Sequence, residues 1–334
     1  MNKLEEMVLS SPNLEIMNSW LVTNDKLGRC RKSLIAISGG SDSDIVLHLC
    51  ATLDTEGKAT YVFYDTGLEF QATKAHIKRL EEKYGIEIIV KKAVKPIPLC
   101  VREYGVPFLS KRVSDYISRL QRHNFKWEDR PFEELVAEYP RCKVALKWWC
   151  NSFGDGSRFN ISRNAWLKEF MVANPPDFKI SDKCCHYAKK LVAKRCVDEG
   201  AFDLNITGVR KAEGGSRAAA YKNCFTPATE TTIDMYRPVF WYTKDTKKAF
   251  EETYGITHSD CYEVWGLPRT GCSGCPFAQD LDIELDAVAK YEPKLYKALN
   301  KVFGESYAYT RKYRAFQQQM KSKTQSSNRR VNDG

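Results

Sequence analysis

The chain contains no uninterrupted apolar run near the roughly 20 residues that cross a bilayer, so none of its 334 residues is expected to form a membrane-spanning helix. Its first residues are acidic and helical in pattern, without the basic segment and apolar stretch of a secretory leader. Export is therefore not expected, and the chain is assigned to the cytoplasm. Internal repeats are missing, which sets aside solenoids and propellers. Histidine is scarce, with five residues (His48, His76, His123, His186 and His258), and none is spaced as a paired metal ligand. Cysteine is plentiful, with twelve residues. Without an export signal that number argues against a disulfide scaffold. Some thiols, Cys50 among them, read as small core residues, and the rest raise the question of a metal.

At 43% hydrophobic and 28% charged, the composition is that of a globular protein able to bury one large core or two modest ones. The net charge of +10 is concentrated at the C-terminus, where Arg311–Gly334 hold seven Lys/Arg against one Asp. Such a tail either tracks phosphates or is a solvated, frayed end.

Residues 1–30 read as a helical N-terminal extension. From Ser33 the pattern alternates: strand Leu34–Ile37, a helix from about Ser43, strand Thr60–Tyr64, a helix from Glu69 to Tyr84 stopped by Gly85, and strand Ile86–Val90. This rhythm predicts right-handed βαβ units and an α/β, doubly wound parallel sheet. Residues 95–183 break it with seven prolines and helical pieces, and read as an insertion. It resumes with strands Phe202–Ile206 and Tyr236–Trp241 and a helix from Lys244 to Gly255, capped by Thr243. Residues 279–334 read as a helical extension ending in a basic, disordered tail.

Four constellations carry chemistry. Ser38-Gly39-Gly40-Ser41-Asp42-Ser43 joins the first strand to a helix N-terminus, where backbone N–H groups and the helix dipole favour an anion. No lysine follows as in the nucleoside-triphosphate P-loop. Asp65-Thr66-Gly67 ends the second strand, on the edge of an open sheet where ligands sit; a bare helix cap or turn is the plainer reading. Gly208, Arg210 and Arg217 lie in Thr207-Gly208-Val209-Arg210-Lys211-Ala212-Glu213-Gly214-Gly215-Ser216-Arg217, whose arginine forks suit phosphate or sulfate; a basic surface loop is the alternative. Cys184-Cys185 with Cys272-Ser273-Gly274-Cys275 makes four thiolates, enough for zinc or for a 4Fe-4S cluster, and spacing leaves the two open. The helical stripe Cys142, Leu146 and Cys150 reads as the packed side of a helix or as a basic, aromatic face for nucleic acid.

The first motif resembles the pyrophosphate loop of N-type ATP pyrophosphatases. Taken in order, SGGSDS, YDTGLEF, the double cysteine, TGVRKAEGGSR, YRPVFWYTKD and GLPRTGCSGCP resemble the phosphoadenosine phosphosulfate (PAPS) reductase family over about residues 31–278. The resemblance implies an adenine-nucleotide α-hydrolase-like fold. It further implies that Ser38 to Ser43 bind phosphate, Asp65 to Gly67 line the nucleotide site, and Arg210 and Arg217 grip the anionic end. The cysteine set is similar to that of adenylylsulfate reductases, where all four hold a 4Fe-4S cluster, and this favours iron–sulfur over zinc. Two departures matter. No cysteine follows Cys275, so the nucleophile with which sulfonucleotide reductases end is missing, and the phosphate loop has the full ATP-splitting form. Both imply ATP with Mg²⁺ and the sulfur-transferring relatives that act on DNA or tRNA. The partners implied are an adenine nucleotide, a nucleic-acid substrate and a protein donating sulfur or electrons. A sulfonucleotide reductase borrowing another cysteine, and a nucleic-acid-binding accessory subunit with a structural cluster, are the alternatives.

Overall fold

A computed structural model describes residues 2–214 and 220–332. They divide into two compact units, Met1–Pro96 with Tyr187–Ser273, and Ile97–His186 with Gly274–Gly334.

The first unit is built on a six-stranded sheet of order β3-β2-β1-β4-β6-β5. Its strands are β1 (Ser33–Ile37), β2 (Ala59–Asp65), β3 (Ile88–Lys92), β4 (Leu204–Thr207), β5 (Phe225–Thr226) and β6 (Asp234–Tyr236). All pairs are parallel except β5–β6. β1 is central, aligning Ile37 with Phe63 on one side and Ala36 with Thr207 on the other. Its side chains alternate between two covered faces, as a doubly wound sheet requires. Ile35 and Ile37 pack with Trp20, Ile45, Leu49 and Phe250, whereas Leu34 packs with Val62, Cys196 and Phe202. The predicted α/β class therefore holds. The N-terminal helices α1 (Lys3–Leu9) and α2 (Leu14–Arg29) lend Met7, Ile16 and Trp20 to the larger core.

Several boundaries move, each for a local reason. Helix α3 runs Ser41–Leu53 and begins two residues before the predicted Ser43. Helix α4 (Gln71–Tyr84) ends at a left-handed Gly85, and the Ile86 N–H is still bonded to Glu81. The chain joins the sheet only at Ile88, two residues after the predicted start. Strand β6 stops at Tyr236 rather than reaching Trp241. Arg237 turns its N–H to Cys224, and Pro238 has no N–H to donate to a ladder. The helix Lys244–Tyr254 forms as expected, with Thr243 accepting from the Thr246 N–H and Gly255 left-handed at its end.

The second unit is helical. The insertion and the C-terminal segment share one aromatic core, which gathers Phe108, Ile117, Trp148, Trp149, Leu167 and Phe170 with Tyr309 and Tyr313. Cys142 and Leu146 are buried in it and Cys150 packs against it half-buried, so the stripe is the packed side of a helix. The last helix runs Pro293–Asn332, through the stretch from Lys321 expected to fray. No glycine or proline interrupts the sequence between Glu305 and Asn332.

Candidate functional site

In a sheet of this order the strand sequence reverses direction between β1 and β4, and the crevice beyond their carboxyl ends is where open α/β sheets bind ligands. Two of the predicted motifs meet there. Ser38–Gly40 link β1 to α3. Gly39 has φ +67°, and a Cβ on it would lie 2.6 Å from Cγ2 of Thr73. Conformation and packing both require glycine. Gly40 is the N-cap of α3 and offers no side chain to its first turn. The serines brace the loop. Ser43 Oγ donates to the Gly40 carbonyl at 2.7 Å and accepts from the Ser38 N–H at 3.2 Å. Ser38 Oγ donates to Ser43 Oγ at 3.1 Å.

Gly208, just beyond β4, is pressed against this turn. A Cβ there would meet the Asp42 carbonyl group and the Ser43 nitrogen at 2.9 Å. Arg210, two residues on, donates from Nε to Asp42 Oδ1 at 2.7 Å. Gly208 and Arg210 thus lie against the phosphate loop, with Asp42 as the carboxylate beside the guanidinium. Arg217 lies outside the described residues.

Around this pair is a buried charge network that no sequence motif announced. Lys247, one turn into helix Lys244–Tyr254, donates to Ser41 Oγ and stands 3.4 Å from both Asp42 and Glu251. Glu251 accepts from His258 Nε2 at 2.7 Å, and His258 Nδ1 donates to Asp44 at 2.8 Å. Asp44, 1% exposed, also accepts from His76 Nε2 at 3.0 Å. Burial opposes the charge on Asp44, but the two imidazoles outweigh it and hold its carboxyl below the usual range. Burial likewise opposes protonation of His258, but hydrogen bonds to Asp44 and Glu251 reverse this and raise it to about 9. Arg210, Lys247 and His258 thus stand against Asp42, Asp44 and Glu251 in one network of contacts. The only local signal was the i,i+4 pair Lys247 and Glu251. Tyr262 was also missed. Its hydroxyl accepts from the Ser41 N–H at 3.3 Å and from the Thr270 N–H at 3.0 Å.

Asp65 lies at the end of β2. Its carboxylate accepts from its own turn at Gly67 N (2.8 Å) and from Lys74 Nζ (2.9 Å). These bonds outweigh desolvation and hold it below the usual carboxylate range. Thr66 is fully buried and donates from Oγ1 to Glu69 at 2.5 Å. Burial pushes the Glu69 carboxyl up.

The cysteines were predicted as one set. Cys184 is buried and Cys185, Cys272 and Cys275 are half-buried. Cys184 and Cys185 lie on the short helix Lys183–Cys185 of the second unit. The Cys272–Cys275 turn is tied through its two middle residues. In the first unit the Ser273 N–H donates to the Leu68 carbonyl at 3.0 Å. In the second, the Gly274 N–H donates to Glu284 at 2.6 Å and its carbonyl accepts from Tyr307 at 2.5 Å. Thiolates are donors that iron and zinc both accept. Among the described residues no group of three or more His, Cys, Asp or Glu side chains could hold a metal ion.

Comparison with known proteins agrees with the motif reading. Residues 32–116 match the family model of the phosphoadenosine phosphosulfate reductase domain, which spans β1, the Gly39-Gly40 loop, β2 and β3. The chain is 33% identical over 143 residues to an uncharacterized protein of Methanocaldococcus jannaschii. The match covers 42% of this chain and 28% of that protein, so the chain spans little more than a quarter of its relative. Among solved structures it is similar to a PAPS reductase from Candida auris in a phosphate complex. There the identity is 12%, the coverage 80% of this chain and 93% of that one, and the TM-score 0.43. It is also similar to the U34-tRNA thiolase NcsA of Methanococcus maripaludis, which carries a 4Fe-4S cluster. The corresponding values are 14%, 90%, 79% and 0.38. Among the described residues no helix is long and apolar enough to cross a membrane.

Proposed function

We propose that this PAPS reductase-like chain binds ATP with Mg²⁺ at the Ser38–Ser43 loop and adenylates a substrate, with sulfur transfer following. The observation that carries the reading is the Gly39-Gly40 turn at the switch point of the sheet, with Arg210 and Lys247 reaching its first helical turn. The β and γ phosphates would rest on the N–H groups at the start of α3, favoured by the helix dipole. Arg210 and Lys247 would exchange Asp42 for phosphate oxygens, leaving Asp42 to face the Mg²⁺. A substrate oxygen would attack the α-phosphorus, the α–β bridging bond would break, and pyrophosphate would leave. Preorganised donors stabilise the charge that develops on the transferring group.

The proposed acceptor is a nucleic acid, DNA or tRNA. Cys184, Cys185, Cys272 and Cys275 are the proposed ligands of a 4Fe-4S cluster. Such a cluster, when bound, supplies a place to hold sulfur or an electron. The family resemblance and the donor chemistry of four thiols support this assignment. Incubation of anaerobically purified protein with ATP and Mg²⁺, followed by a pyrophosphate assay, tests the reading. Pyrophosphate lost in Ser43→Ala supports it. Sulfite released from adenylyl sulfate, with no pyrophosphate from ATP, overturns it in favour of a reductase.

A further inference from the structure

The second unit contains a cavity of about 230 Å³ that none of the predicted motifs touches, lined by Asn151, Ser162, Asn164, Trp166, Lys168 and Glu169 among others. We propose that it receives one unstacked nucleobase of a single-stranded nucleic acid.

The volume falls below the roughly 300–1,000 Å³ of pockets for cofactors and drug-sized ligands, which leaves room for a single planar ring system. The lining matches such a guest. Trp166 offers an indole, and stacking on aromatic rings is how proteins hold splayed-out bases. Asn164, Ser162 and Glu169 surround it with an amide, a hydroxyl and a carboxylate, able to donate to and accept from a base edge. Ser162 and Glu169 are exposed and Asn164 is half-buried, so all three are open to a guest. Asn151 is engaged at one end only, its Oδ1 accepting from the Ser162 N–H at 3.0 Å.

The backbone beside the cavity is unusual at two positions. Asn151 (φ 56°) and Trp166 (φ 55°) are both left-handed. For asparagine this is ordinary, but for a bulky aromatic residue it is an outlier, which the core residue Trp127 (φ 56°) shares. The surroundings hold Trp166 there. The Ala165 carbonyl accepts from Tyr313 at 2.8 Å and from Gln317 at 3.1 Å. The Leu167 N–H closes a turn onto Asn164 at 3.0 Å. Lys168 forms part of the wall, paired to Asp129 and lying 5.7 Å above the Trp149 ring.

Charge indicates what carries the base. From Arg141 to Lys168 the sequence has six Lys/Arg and one acidic residue, Asp155. Arg141, Lys143, Arg158 and Arg163 are exposed. A polyanionic backbone following these cations brings a base to the cavity, phosphates positioning and the pocket holding.

This extends the proposed function by giving its nucleic acid a foothold. The test needs neither ATP nor a cluster, so the two readings fail separately. Fluorescence anisotropy on the full chain compares three short labelled probes: single-stranded RNA, single-stranded DNA, and an abasic sugar–phosphate strand of equal length. Base-bearing strands are expected to bind roughly 5- to 100-fold more tightly than the abasic one, the range for one stacked base. Asn164→Ala and Trp166→Gly should erase that margin, the glycine suiting the left-handed backbone so that folding is not at risk. Arg163→Ala should weaken all three probes alike. RNA and DNA differing from each other would identify which strand the site prefers. Equal affinity for base-bearing and abasic strands, no binding of any, or a margin surviving both variants would overturn the proposal.

Discussion

Asp44→Asn tests the buried network most directly. In the native chain Asp44 is the main acceptor that raises His258 to about 9, against an ordinary value of 6.5. A rise of that size corresponds to a contribution on the order of 3 kcal/mol. His258 is 10% exposed, so solvent screening removes little of it. Because the folded value is raised, the contribution is complete below pH 6.5 and disappears as the pH climbs through about 9. Across that window the native chain keeps a proton that the unfolded chain has lost, and stability falls as pH rises. The lowered Asp44 carboxyl reports the same contacts from the other side and is not added to it. Asparagine keeps the shape but not the charge, leaving a buried imidazole with Glu251 alone. Breaking a buried pair by removing one partner costs roughly 3–5 kcal/mol near neutral pH. Amide hydrogen exchange of α3, corrected for intrinsic rates, measures this at pH 6.5 and pH 9. The native chain should lose protection between the two, and Asp44→Asn should be less protected at the lower pH with a flattened profile. A native chain equally protected at both pH values, or a variant that keeps the full decline, would refute the reasoning.

Three further outcomes follow from the same geometry. Gly208→Ala forces a methyl to within 2.9 Å of the Asp42 carbonyl and the Ser43 nitrogen, and should cost about 1–3 kcal/mol in thermal or urea unfolding while displacing the phosphate loop. Gly39→Ala meets Thr73 Cγ2 at 2.6 Å and a φ of +67°; Thr73→Ser should recover the packing part of that loss and leave the backbone part. Lys247→Gln removes the ammonium near Ser41 and Asp42, and should weaken ATP binding about 10- to 100-fold, the range for a hydrogen bond to a charged group. Isothermal titration with Mg²⁺–ATP measures this, and unchanged affinity would remove Lys247 from the site.

The parts that sequence by itself determined are those set by short-range chemistry. Strands β1 and β2, the helices they feed, the Gly39-Gly40 turn and the Thr243 cap all depend on neighbours within a few residues. Hydropathy and turn residues sufficed to find them. Boundaries set by long-range pairing were less legible: β6 ends where Arg237 turns to Cys224, and the Lys143–Trp149 stripe packs into a core that includes Tyr309. The network under the phosphate loop was invisible for the same reason. Asp44, His76, Glu251 and His258 span more than 200 positions, and only the folded sheet brings them within hydrogen-bonding distance. Arg210 shows the same division. Its glycine-rich loop marked it as a cation for an anion, and the fold decided that Asp42 stands within its reach. Sequence sets which charges are available, and tertiary structure sets which of them are buried together. In a low-dielectric interior that proximity governs their protonation.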